Sequence, residues 1–261
     1  MYEKLKGKRA LVTGASAGIG QAIARRLAAA GCHLILSGRR LDRLESLARE
    51  LEEHEAVSVL PLEMDVTRAR EVEERLPPLL EKYTVDILIN NAGLALGLEP
   101  LDEGKVEHWE RMIDTNIKGL LYVTRPVMAQ MRARDRGHIL NLGSIAGEVA
   151  YPGGNVYCAT KAAVHMLSDA MNVDALGTKI RIGTIAPGAV DTEFSDVRFE
   201  GDRSKREAVY EGYTPLTAED IADLALYIFS APEHVNIQHV RIMPTAQRNP
   251  YLLDRSATET R

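Results

Sequence analysis

The chain has 261 residues, 45% of them hydrophobic and 26% charged, and a formal net charge of -5; it can bury a large core and carries no overall positive field to gather nucleic acid or anionic lipid. Its two cysteines, Cys32 and Cys158, exclude a disulfide framework and read as reduced, packed thiols. The opening MYEKLKGKRALVTG lacks an apolar leader and no run reaches the ~20 apolar residues of a membrane span, so the expectation is a soluble cytoplasmic protein with neither nucleic-acid nor membrane partners.

In chain order, RALVTG (9–14) reads as the first strand and leads through TGASAGIG (13–20) into the helical pattern QAIARRLAAAG. Gly14 can turn sharply, Gly18 lets a diphosphate approach the backbone, and Gly20 lets the helix pack close to the strand. An anion then rests on the unpaired N–H groups of the helix N-terminus. HLILSG (33–38) is the second strand. NAD sites of this architecture carry an acid about 20 residues past the glycines. Here Ser37, Gly38, Arg39 and Arg40 occupy that place, and no carboxylate stands between Gly20 and Asp42. A guanidinium makes forked, charge-assisted bonds to phosphate, so Arg39, with Arg40, is expected to hold the 2'-phosphate of NADP(H). The alternative is a solvated helix start.

LDRLESLARELEEHE then places Leu41, Leu44, Leu47, Ala48 and Leu51 on one helical face. AVSVLPLEMD (56–65), VDILINNAG (85–93) and GHILNLGS (137–144) read as the third to fifth strands. In GGNVYCATKAAV (153–164), Tyr157 and Lys161 stand one helical turn apart among small side chains and share a face. A free tyrosine titrates near pH ~10, and bringing it toward neutrality takes roughly 3–4 kcal/mol. That stabilisation of the phenolate is expected from Lys161 and from the positive ring of an oxidised nicotinamide.

IRIGTIAPG (180–188) is the sixth strand, and residues 189–216 form a polar stretch too long for an ordinary connection, expected to be a functional loop or lid. Thr217 with Asp220 reads as a capping box ahead of IADLALYIF, and HVRIMP (239–244) is the last strand. Short Val/Ile/Leu-rich runs alternating with helical patterns predict an α/β fold, a doubly wound seven-stranded parallel sheet with helices on both faces in a single domain. Residues 1–246 are expected to form the dinucleotide-binding catalytic domain, and 247–261 a C-terminal tail. None of the seven histidines shows the helical spacing of a metal site, and no metal is assigned.

Six motifs together resemble the short-chain dehydrogenase/reductase family over about residues 7–245: TGASAGIG, NNAG (90–93), Asn116 in DTNIKG, Ser144 in LGSIAG, YCATK (157–161) and PGAVDT (187–192). The resemblance implies a Rossmann-type fold and NAD(P)-dependent oxidation of a CH–OH group, or the reverse reduction, with Asn116, Ser144, Tyr157 and Lys161 as the catalytic group. It implies cofactor contacts from Gly14, Ser16, Ala17, Gly18, Ile19 and Gly20, from Asp65 and Val66 beside the adenine, from Asn91, Ala92 and Gly93, and from Pro187, Gly188, Val190 and Thr192 near the nicotinamide. Tyr157 would exchange the substrate proton and Ser144 would hold the substrate oxygen. Lys161 would also bind the nicotinamide ribose, and Asn116 would support a proton-carrying water.

NNAGLALGLEP (90–100), DTNIKGLLYVTRPVMAQM (114–131), GGNVYCATKA (153–162) and TEFSDVRFEGD (192–202) are further similar to the NADP-dependent 3-hydroxy acid dehydrogenases, the serine, L-allo-threonine and semialdehyde-reductase type. That resemblance implies a small 3-hydroxy acid as substrate. Its carboxylate needs a cation, and the lid offers Arg198, Arg203, Lys205 and Arg206. Arg198, flanked by Val197 and Phe199, is expected to reach inward and complete a substrate site with Ser144 and Tyr157. The alternative pairs these cations with Glu193, Asp196, Glu200 and Asp202. Apolar residues on more than one face of AAVHMLSDAMNVDAL, with the family's pairing of these helices, imply a homotetramer. Two competing readings stand: a broad NADPH-dependent carbonyl or 3-oxoacyl reductase that needs no carboxylate, and a module that senses NADPH without turnover.

Overall fold

A computed structural model describes residues 2–256. Seven strands form one parallel sheet: β1 (Arg9–Thr13), β2 (His33–Gly38), β3 (Val59–Glu63), β4 (Ile87–Asn90), β5 (Gly137–Leu142), β6 (Ile180–Pro187) and β7 (His239–Ile242). Their order is β3-β2-β1-β4-β5-β6-β7. The direction of winding reverses between β1 and β4, which leaves a crevice at the carboxyl ends of these strands. All seven expected strands are present, and a single α/β domain of the Rossmann type results.

The apolar runs are continuous because each strand is covered on both sides. Ala10 and Val12 of β1 face the helices α1 (Gly18–Ala29), α2 (Leu41–His54) and α9 (Ala218–Ser230), through Ile23, Leu44 and Leu226 among others. Leu11 faces the opposite layer of α3 (Ala69–Lys82), α5 (Leu120–Ala133) and α6 (Asn155–Asp174), through Leu76, Val127 and Val164. Thr217 caps α9 as expected: its hydroxyl accepts from Asp220 N, and the Asp220 carboxylate accepts from Thr217 N at 2.8 Å. The third and fourth strands are shorter than their apolar runs. Val57 N turns back to Glu55 O, and Asp65 accepts from Thr67 N at 3.0 Å, so both ends of 56–65 leave the ladder. Asn91 and Ala92 donate instead to Thr13 Oγ1, each at 3.0 Å.

Residues 189–216 hold two short helices that the polar pattern did not announce, α7 (Phe194–Arg198) and α8 (Arg203–Tyr210), after α4 (Val106–Ile113) in the chain order. The base of this segment is pinched where Leu216 N donates to Ala189 O at 3.0 Å and Asp191 N donates to Leu216 O at 2.9 Å. Residues beyond β7 fold back onto this segment: the Gln247 side chain accepts from Ala189 N at its base at 2.9 Å, and Arg255 donates to Ala208 O of α8 at 3.1 Å. Residues 257–261 of the tail lie outside the described residues. No helix among the described residues is long and apolar enough to cross a membrane.

A buried polar network ties α5 and α6 to the middle of the sheet. Asn90 donates to Thr124 Oγ1 and to Asn141 Oδ1, and Asn141 donates to Ser168 Oγ, all at 2.8 Å. Removing one member leaves its neighbours buried without partners, which costs more than the lost bond. Asn141→Ala should therefore lower unfolding free energy by about 2–4 kcal/mol, read as a reduced urea midpoint at unchanged slope.

Candidate active site

The crevice is built first by the turn after β1. Gly14 sits at φ +64, and a Cβ on Gly20 would lie 2.6 Å from Gly14 O, so the turn needs both glycines. Asn91 Nδ2 braces it from the next strand, donating to Thr13 O at 2.9 Å and Gly14 O at 3.1 Å. Ala17 stands at the N-cap of α1 and offers no side-chain cap. The first N–H groups of the helix are thus left for an anion.

One cleft takes in the expected cofactor residues. Gly14, Ser16, Ala17, Gly18 and Ile19 line one end with Arg39 and Arg40, and Asp65 and Val66 stand beside them. Asn91, Ala92, Gly93, Pro187, Gly188, Val190 and Thr192 line the middle, and Ser144, Tyr157 and Lys161 the far end. Gly20 lies behind the turn, and Asn116 and Arg198 stand outside this lining. Arg39 is exposed, and makes no ion pair among the described residues. Arg40 donates to Ser16 Oγ at 2.9 Å and to Glu193 of the lid at 3.0 Å. Arg43, which the sequence reading did not single out, meets the same carboxylate at 2.8 Å. An uncapped helix start, a glycine-tight turn and three guanidinium groups at one mouth fit a phosphorylated dinucleotide.

At the far end, Tyr157 and Lys161 are buried one turn apart on α6. Lys161 Nζ donates to Leu142 O, the last residue of β5, at 2.7 Å. Ser144 follows on the same strand end, where its hydroxyl accepts from Ala146 N at 3.1 Å and bonds toward the Tyr157 phenol. Asn116 is buried in a π-helical turn, Asp114–Gly119, between α4 and α5. It accepts from Leu94 N at 2.8 Å and donates to Thr160 Oγ1 at 3.0 Å, pinning α6 to the segment after β4. Asn116, Ser144, Tyr157 and Lys161 thus share one neighbourhood.

The electrostatics depart from expectation. Burial, followed by the nearby Tyr151 hydroxyl, pushes Tyr157 above its ordinary value of 10.0. Lys161 is itself drawn down to about 8 by burial. The expected depression of Tyr157 by Lys161 is not found, because desolvation penalises both ions and the ammonium lies 6.0 Å from the tyrosine ring centre. The groups that do favour the phenolate are Ser144, by its hydrogen bond, and Arg198, by its charge.

Arg198 lies against the two tyrosines. Its guanidinium lies 5.6 Å from the Tyr157 ring centre and 5.5 Å from that of Tyr151. Phe194, four residues earlier on α7, packs against Tyr157 at 5.8 Å, so one helical turn presents both side chains to it. Arg198 Nε donates to Gly97 O at 3.4 Å, and a buried terminal nitrogen of its guanidinium has no hydrogen-bond partner. The other lid charges point elsewhere. Lys205 pairs with Asp202 at 3.6 Å, Glu200 lies 3.7 Å from Lys105, and Glu193 bonds Arg40 and Arg43. Arg203 is exposed, and the side chain of Arg206 lies outside what the structure describes. Tyr151 carried no signal in the sequence; only the fold brings it beside Arg198.

The short chain dehydrogenase family model matches residues 8–203. The chain belongs to that family. It is 49% identical over 239 residues to an NADP-dependent 3-hydroxy acid dehydrogenase, YdfG, of Salmonella typhi, covering 91% of this chain and 95% of the relative. A fission-yeast relative of the same description, from Schizosaccharomyces pombe, is 42% identical over 246 residues, covering 94% of this chain and 95% of its own. Among solved structures, the closed form of serine dehydrogenase complexed with NADP+ superposes with a TM-score of 0.87 at 46% identity, over 92% of this chain and 96% of that one. Serine dehydrogenase from Escherichia coli gives 0.77 at 41% identity, over 92% and 99%.

Beneath Ser144, this short-chain dehydrogenase carries a second cluster. His165 Nε2 accepts from Ser144 N at 3.4 Å and abuts the His239 ring at 5.0 Å. His239 meets Glu148 at 2.7 Å, and Arg241 holds the other oxygen of that carboxylate. Ligand atoms of Glu148, His165 and His239 lie within 4.8 Å of one another, but the guanidinium already neutralises the only acid. Burial pushes His165 down to about 4 and His138 well below 6.5. Between pH 6.5 and 4 the unfolded chain binds a proton that the native His165 ring refuses, and His138 acts in the same direction. The His165 contribution is complete above pH 6.5 and is lost as pH falls through that window. Urea unfolding at a series of pH values should show stability declining from pH 6.5 downward, with a shallower slope in His165→Gln.

Proposed function

We propose that the chain is an NADP(H)-dependent oxidoreductase acting on the hydroxyl-bearing carbon of small 3-hydroxy acids of the serine, L-allo-threonine and 3-hydroxypropionate type, or on the corresponding carbonyl compounds. The observation that carries the acid specificity is Arg198: a half-buried guanidinium over Tyr157 with a buried nitrogen left unpaired. A substrate carboxylate is the partner that position lacks. A broad carbonyl reductase has no need of that cation, and a sensing module has no need of the buried Ser144, Tyr157 and Lys161 constellation.

The turn from Gly14 to Ile19, with Ser16, Arg39 and Arg40, would hold the diphosphate and the 2'-phosphate of the dinucleotide, and Asp65 and Val66 would flank its adenine. Asn91, Ala92, Gly93, Pro187, Gly188, Val190 and Thr192 would line the path to its nicotinamide. The bound cofactor supplies or accepts the hydride. Tyr157, a phenol kept protonated by burial, donates its proton to the carbonyl oxygen in reduction and takes it back in oxidation. Ser144 hydrogen-bonds that same oxygen. Lys161 keeps a positive charge beside the phenol and a donor toward the nicotinamide ribose. Asn116 fixes the α6 backbone through Thr160 and stands where a water-borne proton would leave. Gly20 takes no contact of its own and serves by letting α1 approach the turn.

The setting is proposed to be cytoplasmic, supported by two free, buried thiols. A homotetramer is supported by the outer face of α6 and its end, where Met166 is 68%, Val173 73% and Leu176 88% exposed; such apolar surface on a folded chain marks an association face.

Light scattering at micromolar protein should return the mass of four chains; a monomer mass removes the assembly from this proposal. NADP reduction followed with L-serine, L-allo-threonine and 3-hydroxypropionate beside a neutral secondary alcohol should show turnover of the acids. Tyr157→Phe should abolish it without weakening NADPH binding. Arg198→Ala should raise KM about 10- to 100-fold for the acids and leave the neutral alcohol unchanged. An equal rise for both would sink the carboxylate role.

A further inference from the structure

A second cleft opens at the opposite end of the sheet, where β1, β4, β5 and β6 begin. Its walls are the segment before β1, the start of β4, the turn into β5, the start of β6 and the end of α9. Six cationic side chains line it, Lys6, Lys8, Arg134, Arg136, Lys179 and Arg181, against three carboxylates, Asp86, Asp135 and Glu233. The acids do not balance them. Arg134 pairs with Asp86 at 3.1 Å and Lys179 with Asp135 at 3.8 Å. Arg181 is held by backbone carbonyls of Ala231, Pro232 and Val235 and faces Glu233. Lys6, Lys8 and Arg136 have no carboxylate partner among the described residues.

The floor of this cleft is polar and unsatisfied. His138 lines it, only 3% exposed, and neither ring nitrogen has a hydrogen-bond partner. Arg134 Nε, also buried, lacks one as well. The field of Arg181 and Lys8, added to burial, keeps the His138 ring neutral. A neutral imidazole still offers one N–H. Orphaned donors at the bottom of a cationic cleft are uncommon in folded chains, and a bound anion would satisfy them together.

We infer that this cleft is a second ligand site, distinct from the dinucleotide crevice, that binds a small soluble phosphorylated compound. Lys6, Lys8 and Arg136 meet its oxygens at the mouth, and His138 and Arg134 Nε meet them at the floor. Phosphate chemistry suits the site better than a single carboxylate because the free cations come from two separate walls and a phosphate or diphosphate presents oxygens in several directions. The net charge of -5 for the whole chain disfavours an extended polyanion such as nucleic acid.

The test is calorimetric titration of the full chain with inorganic pyrophosphate. Because pyrophosphate also suits the first turn of the dinucleotide crevice, two double variants separate the sites. Lys8→Ala/Arg136→Ala should weaken one binding phase about tenfold or more and leave NADP-linked turnover intact, whereas Arg39→Ala/Arg40→Ala should leave that phase in place. In parallel, the ring resonances of His138 should shift on addition of pyrophosphate. Absence of binding, or binding lost only with Arg39 and Arg40 and without a response at His138, overturns the inference.

Discussion

The ammonium of Lys161 is buried with one protein acceptor, Leu142 O, and the far end of the crevice is arranged around that constraint. A buried cation is expensive unless its geometry is held. β5 therefore stops at Leu142 while the next residue, Gly143, bonds across to Ile185 O at 2.8 Å, which leaves the Leu142 carbonyl to the lysine. A Cβ on Gly147 would fall 2.7 Å from the Lys161 carbonyl, so the loop carrying Ser144 can press on α6 only without a side chain there. The Asn90, Asn141 and Ser168 chain then holds α6 against the sheet, and Asn116 holds it from the other side through Thr160. These side chains are buried and bond to different elements, so the register of the helix is fixed by several independent contacts.

The lid continues the same logic to both ends of the crevice. Glu193 joins Arg40 and Arg43 at the end that holds the glycine turn, and five residues later Arg198 lies over Tyr157 at the other. The Glu193 pairs are about half exposed, so each contributes about 0–1 kcal/mol. Arg198 is held more tightly, between two tyrosine rings and in a reciprocal backbone and side-chain contact with Gly97.

What was legible in the sequence is what is local. Strands buried on both faces write continuous Val, Ile and Leu runs, and all seven were visible; their ends were overread where Asp65 and Asn91 turn out of the ladder. Helical spacing puts Tyr157 and Lys161 on one face, but their reading as a catalytic pair rested on the family resemblance that Asn116 and Ser144 complete. The pairing of Arg43 with Glu193 spans 150 residues, and no periodicity reports it. Tyr151 beside Arg198 and His165 beneath Ser144 are likewise products of the fold. α7 is a single turn whose reason for being helical is the packing of Phe194 and Arg198 on Tyr157, not a repeat. α8 did leave a trace: Asp202, whose side chain accepts from Ser204 N and Lys205 N, is an N-cap signal inside the polar stretch.

The electrostatics of Tyr157 show why spacing was insufficient there. Reading a cation one turn away as a depressed phenol assumes the solvent can be ignored, yet a site dry enough to strengthen the attraction also penalises both ions. Here the lysine falls to about 8 and the tyrosine rises, two consequences of one desolvation. At neutral pH the proton therefore rests on the phenol and the charge on the ammonium, which is the donor form required to reduce a carbonyl. Movement toward phenolate depends on added positive charge near the ring, and Arg198 already supplies part of it. A carboxylate bound at that guanidinium would weaken its pull on Tyr157 and so leave the tyrosine the better-protonated donor.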